Sequence, residues 1–178
     1  MDSLGSVINS LKNGEVIAYP TEGVWGLGCD PSNEKAISRL LKLKGRSEAK
    51  GLILIGSSLK QFSKFIEVEK YKDKLLEKWP GPHTWLVPPR PEISKAIIGN
   101  NEKIALRLSS HKQVIELCEE FKGAIISSSA NKENTPTLES PEEIKGIFPD
   151  IKVLKGKLGG LNRPSKIQDL LTGELIRG

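Results

Sequence analysis

VIAYPTEGVWGLGCDPSNEKAISRLLKLKGRSEAKGLILI, residues 16–55, holds a strand, a glycine-rich turn, a helix and a second strand in one run. Val16-Ile17-Ala18-Tyr19 is a short apolar run that reads as a buried strand, closed by Pro20. Between Thr21 and Asp30, Gly23, Gly26 and Gly28 mark a loop or bulged strand where backbone approaches something closely. Asn33 caps the next helix, whose apolar stripe is Ala36, Ile37, Leu40, Leu41 and Leu43, and Lys44-Gly45-Arg46 ends it. Leu52 to Ile55 is the following strand. Strands alternating with helices in this way point to an α/β fold.

The reading extends outward on both sides. Leu4 to Lys12 has helical spacing and stops at Asn13-Gly14. Tyr71 to Trp79 and His111 to Phe121 read as helices, Thr84 to Val87 and Ile104 to Leu108 as strands. Ala124-Ile125-Ile126 is a small strand running into Ser127-Ser128-Ser129-Ala130-Asn131, which reads as a polar turn outside the core. A Pro-capped helix at Pro141 to Phe148 precedes three short strands around Val153, Ile167 and Ile176. The alternation early and the clustering of strands late predict an α/β fold: one domain over residues 1–178, with a twisted mixed β-sheet flanked by helices.

A chain of 178 residues suits one core, and its 37% hydrophobic residues recur in patterned runs that exclude disorder. Twenty-seven Lys and Arg against 22 Asp and Glu give +5, which fits an anionic partner or simply a solvated basic surface. Cys29 and Cys118 have neither CxxC spacing nor a His cluster beside them, so no metal site or disulfide framework is expected. The start, MDSLGSVINSLKNGE, lacks the build of a signal peptide, and no apolar run approaches membrane-span length. The expectation is a soluble, cytoplasmic protein in a reducing compartment with no membrane partner.

GxxxxGK[ST], GxGxxG and GxSxG are all missing, and two His residues leave little material for a metal cluster or a Ser-His nucleophile. His83 and His111 read as surface or packing residues. Lys44, Arg46 and Lys50 are the strongest basic cluster; they suit either a phosphate clamp or the C-terminal end of a helix. Ser127, Ser128, Ser129 and Asn131 follow a strand end, where α/β sheets present ligand-binding turns, although capped and solvated serines look the same. Arg107, inside the apolar strand Ile104-Ala105-Leu106-Arg107-Leu108, either faces solvent or pairs with an anion. Trp79 and Trp85 read as core; Trp25, amid glycines, stays open.

Tyr19-Pro20-Thr21-Glu22-Gly23-Val24-Trp25-Gly26-Leu27-Gly28-Cys29-Asp30-Pro31, then Lys44-Gly45-Arg46 and Lys50-Gly51-Leu52-Ile53-Leu54-Ile55, together resemble the YrdC/TsaC family. Trp79-Pro80-Gly81-Pro82-His83-Thr84, Leu106-Arg107-Leu108, Ser127 to Asn131, and the tail from Pro164-Ser165 through Asp169 to Leu175-Ile176-Arg177 follow in the same order. The resemblance spans nearly the whole chain. It implies a concave basic face and synthesis of threonylcarbamoyl-adenylate from L-threonine, bicarbonate and ATP, with Mg²⁺ bridging phosphate oxygens. The product would pass to a TsaD-type transferase that modifies the adenosine beside the anticodon of tRNA.

The resemblance assigns Lys44, Arg46 and Lys50 to catalysis as a clamp on the ATP phosphates, faced by Ser129 and Asn131. It places Thr137 and Arg177 on the nucleotide side, Arg107 on the threonine carboxylate, Ser127 and Ser165 along the amino-acid site, and Thr21 with Gly23 on the cavity floor. Gly23 stands where many relatives carry a side chain such as Thr, Ile55 where longer relatives carry His, and Lys166 where Thr is usual. The chain looks like the short form of the family, without a second domain. Two other readings stand beside this one. The first is a double-stranded RNA or tRNA-binding module without catalysis. The second is a carbamoyl-transfer domain of the kind found in hydrogenase maturation proteins, which normally sits in much longer chains.

Overall fold

The computed structural model describes residues 1–161 and 163–178. Helix α1 (Leu4–Lys12) begins where the Ser3 hydroxyl accepts the Ser6 N–H, and it buries Val7, Ile8 and Leu11. Strands β1 (Ile17–Pro20) and β2 (Trp25–Gly28) form an antiparallel hairpin. The glycines of β2 are explained by the Tyr19 ring lying against them: a Cβ on Gly26 would meet it at 3.1 Å and one on Gly28 at 2.8 Å. The close approach expected from glycine density is therefore real, but the strand pairs in regular register and is not bulged.

Helix α2 (Glu34–Lys44) is capped by the Asn33 side chain and ends on Gly45 at φ 62°. Next come β3 (Ile53–Gly56), a 3-10 turn (Leu59–Phe62), α3 (Val68–Leu76), β4 (His83–Val87), the short α4 (Lys95–Ile98), β5 (Ile104–Leu108) and α5 (Lys112–Phe121). Then follow β6 (Ile125–Ser129), α6 (Pro141–Ile147), β7 (Lys152–Val153), β8 (Lys166–Asp169) and β9 (Leu175–Arg177). Among the described residues, nine strands make one sheet in the order β7-β1-β2-β6-β3-β5-β4-β8-β9. The pairs β1–β7, β3–β5 and β4–β8 are parallel and the rest antiparallel, which makes the sheet mixed, as expected.

Side chains alternate across this sheet with period two, and each face has its own apolar layer. Ile17, Tyr19, Ile55 and Ile125 pack with α1 and α5. Ala18, Leu27, Leu54, Leu106 and Ile126 face the opposite way, into a larger layer with α2, Trp79 and Trp85. Two expectations need correction. The helix expected over Tyr71–Trp79 runs Val68–Leu76, because buried Val68 and Leu75 anchor it while Trp79 turns off to pack on Phe62. The serines expected as a turn outside the core belong to β6, with Ser128 paired to Leu27 and Ser129 to Gly26; backbone pairing on both sides carries the strand through polar residues.

Candidate active site

Register places Ile53 opposite both Ala105 and Ser127, and Ile55 opposite Arg107 and Ile125. These residues share one face. Ile55 and Ile125 lie under the α1–α5 layer, but Ile53, Ala105, Arg107 and Ser127 lie beyond it and line a cavity of about 580 Å³. Its apolar wall includes Leu52, Ile97, Ile98 and Ile176, and its polar wall includes Thr21, Arg46, Lys50, Ser129, Ser165 and Arg177.

Arg107 is 8% exposed and forms an ion pair with Glu22, which is equally buried. Glu22 Oε1 also accepts the Ser109 hydroxyl at 2.8 Å and the Ser110 N–H at 3.1 Å. Burial works to raise the Glu22 carboxyl, but the Arg107 charge and these hydrogen bonds prevail and hold it below the usual range. Arg107 thus has its anion inside the protein, in the second of the two ways open to an Arg within an apolar strand.

Arg46 donates from Nη2 to the Gly51 carbonyl at 2.9 Å, and its Nε is buried without a partner. Arg177 donates from Nε and Nη2 to the Ser165 carbonyl at 3.0 and 2.7 Å, while the Ser165 hydroxyl meets Thr84 Oγ1 at 2.8 Å. Burial lowers both guanidinium groups, and Arg177 is lowered further by the charges of Arg107 and Arg46. Lys50 sits at an exposed rim, 2.6 Å from Glu133.

Of the residues expected at the site, the cavity gathers Thr21, Arg46, Lys50, Arg107, Ser127, Ser129, Ser165 and Arg177; Gly23, Lys44, Asn131 and Thr137 lie outside its lining. Lys44 is buried, and its ammonium donates to the Ser129 carbonyl, to the Asn131 carbonyl at 2.7 Å and to Asn131 Oδ1 at 3.1 Å. All three protons are used behind the wall. Burial, then the Arg46 charge, bring Lys44 down to about 8. The Ser129 hydroxyl donates to the same Asn131 Oδ1 at 2.7 Å, so amine, serine and asparagine form one knot at the end of β6.

Gly23 has no space for a side chain, since a Cβ there would overlap the Arg163 carbonyl. Trp25 is buried in the larger apolar layer with Nε1 donating to the Glu139 carbonyl at 3.1 Å. His83 packs edge-on to Trp85, and His111 Nε2 lies 3.0 Å from the Lys157 carbonyl. Sequence reasoning missed Glu22, whose signal was an acidic residue between a strand end and a glycine, and the apolar wall, which looks like ordinary core. Among the described residues, no group of three His, Cys, Asp or Glu side chains is placed to hold a metal ion, and no helix is long and apolar enough to cross a membrane.

Comparison with known proteins matches residues 9–177 to the model of the Sua5/YciO/YrdC family, described as "Telomere recombination". A threonylcarbamoyl-AMP synthase of Pseudomonas entomophila is 46% identical over 94% of this chain and 92% of its own. One from Chromohalobacter salexigens is 41% identical over 99% and 97%. The crystal structure of P. abyssi Sua5 complexed with L-threonine superposes with a TM-score of 0.85 at 25% identity; it matches 93% of this chain, which spans half of that protein's length.

Proposed function

The chain belongs to the Sua5/YciO/YrdC family, and from that premise we propose that it is a threonylcarbamoyl-AMP synthase, joining L-threonine, bicarbonate and ATP into threonylcarbamoyl-adenylate. The observation that carries this reading is that Arg46, Arg107 and Arg177 open on one cavity together with Ser127 and Ser129. The threonine amine takes up bicarbonate as a carbamate, releasing water. A carbamate oxygen then attacks the α-phosphorus of ATP, and pyrophosphate leaves. Such a displacement needs positioned charge more than a protein nucleophile.

Arg46, Lys50 and Arg177 neutralise the phosphates, with Ser129 on the nucleotide side and Asn131, outside the lining, fixing the Ser129 hydroxyl. Lys44 acts through the end of β6, whose carbonyls it holds, as a positioning residue. Arg107, Ser127 and Ser165 take the threonine, over a floor to which Thr21 contributes. Glu22, Glu133 and Asp169 are paired with Arg107, Lys50 and Lys103, which leaves Glu102 as the carboxylate of the cavity lining. Among the described residues a lone carboxylate makes no dedicated metal site, and Mg²⁺ would enter as part of the nucleotide substrate. The adenylate passes, in a cytoplasmic setting, to a TsaD-type transferase acting on tRNA. Binding of RNA by the chain itself would weaken steeply with salt, whereas ATP binding would saturate.

Pyrophosphate release should require threonine and bicarbonate together, and mass spectrometry should find the mixed adenylate. Arg46→Ala should lower turnover by about 10²–10³-fold, the usual loss on removing a charge-stabilising donor. Threonine-independent release of pyrophosphate would overturn the reading.

A further inference from the structure

The cavity's three guanidinium groups differ in how their charge is balanced. Arg107 alone is paired with a buried carboxylate, Glu22, and both side chains are 8% exposed. Arg46 and Arg177 meet neutral carbonyls, those of Gly51 and Ser165, and no carboxylate among the described residues forms an ion pair with either. Glu22 is held rigidly, since the Ser109 hydroxyl, the Ser110 N–H and Arg107 occupy both its oxygens. Its position is fixed further by the segment after β7, where Gly159 N–H donates to the Thr21 carbonyl at 3.0 Å and Leu161 N–H to the Glu22 carbonyl at 2.9 Å.

An anion arriving at Arg107 therefore meets a guanidinium already neutralised and a fixed negative charge behind it. For a single carboxylate the remaining N–H donors outweigh that repulsion. For a phosphate chain of several charges the attraction of Arg107 and the repulsion of Glu22 grow together, so the pair offers no net attraction to offset the larger cost of desolvating that chain. The same polyanion meets, at Arg46 and Arg177, guanidinium groups that no carboxylate pairs with directly, Glu133 acting on Arg46 only from beyond ion-pair distance.

We propose that Glu22 is the specificity-determining residue of this cavity: by neutralising Arg107 it reserves one end for a monocarboxylate and leaves phosphates only the Arg46–Arg177 end. This rests on the synthase reading above, and it adds a reason why ATP and pyrophosphate do not occupy the amino-acid end of a cavity lined by three arginines.

Glu22→Gln keeps the shape and one acceptor while removing the charge. Calorimetry with L-threonine and with inorganic pyrophosphate, at fixed ionic strength, tests the proposal. In the unaltered chain pyrophosphate should compete with ATP and not with threonine. In Glu22→Gln it should become a competitor of threonine, binding at least about tenfold tighter, the size of one removed like charge at close range. At saturating ATP, the apparent KM of Glu22→Gln for threonine should rise with added pyrophosphate while its kcat is insensitive to the pyrophosphate. Glu22→Asp, which keeps the charge, should continue to exclude pyrophosphate even where threonine binding weakens; a merely structural role for Glu22 would not separate these two variants.

Competition between pyrophosphate and threonine in the unaltered chain overturns the proposal whatever the variants do, as does a folded Glu22→Gln that binds pyrophosphate within about twofold of the unaltered chain. If Glu22→Gln does not melt cooperatively, pyrophosphate competing with threonine in Glu22→Asp, where the charge is kept, overturns the proposal. Adenylate formation that persists alongside either negative result leaves the synthase reading standing, whereas a chain that binds no threonine overturns both.

Discussion

Gly23 shows how little one residue's chemistry says until its neighbours are known. Its missing side chain reads as an empty place in the amino-acid site, yet that place is filled by the Arg163 carbonyl, in a segment held to Thr21 and Glu22 by two backbone hydrogen bonds. Gly23→Ala should therefore force this segment outward and cost about 1–3 kcal/mol, read from the urea midpoint. Lys44 is the converse case: by sequence the stripe ends on Leu43, with Lys44 in a basic cluster, yet Ile37, Leu40, Leu41 and Lys44 follow helical spacing and all four are buried. A lysine that continues an apolar stripe must find acceptors inside the protein, and it finds them at Ser129 and Asn131. Which acceptors these are depends on residues more than eighty positions away, which helical periodicity does not report.

Strand β6 carries the division of the sheet's face within five residues. Ile125 lies under α5 and Ser127, two positions on, lines the cavity. Ile125→Ala should cost about 2–4 kcal/mol in equilibrium unfolding, as for other large-to-small core changes. Ser127→Ala should shift stability by less than about 1 kcal/mol, yet weaken threonine binding. The polar run was read as a turn because hydroxyls are rare in a core; a strand whose second half faces a cavity has no such restriction.

At the β8–β9 turn, Asp169 accepts the N–H groups of Leu171 and Thr172 and pairs with Lys103. Burial would raise its carboxyl, but Lys103 and the two N–H groups bring it down to about 2. Because the folded value is depressed, this contribution is complete above the unfolded carboxyl range near 4 and is lost as pH falls from there toward 2. Acid titration should show the loss in that window, and Asp169→Asn should remove it.

At the scale of the molecule, the cavity draws on β3, β5, β6 and β9, so a ligand in it bridges strands far apart in sequence. ATP with threonine, each near 100 Kd, should stabilise the fold by at least about 2.7 kcal/mol and raise Tm by roughly 5–10 °C in a thermal melt. The alternation of strands and helices made the α/β class and the mixed sheet legible. The strand order was not, because pairings such as Gly26 with Ser129 and Ile17 with Lys152 are set by packing between distant segments. Those pairings also bear on how the chain acquires activity. Contacts this remote in sequence form late and slowly compared with local ones. A chain still emerging from the ribosome, with β1, β2 and β3 made but β6 and β9 not yet joined, has only fragments of a wall, and consumption of ATP waits until folding is complete.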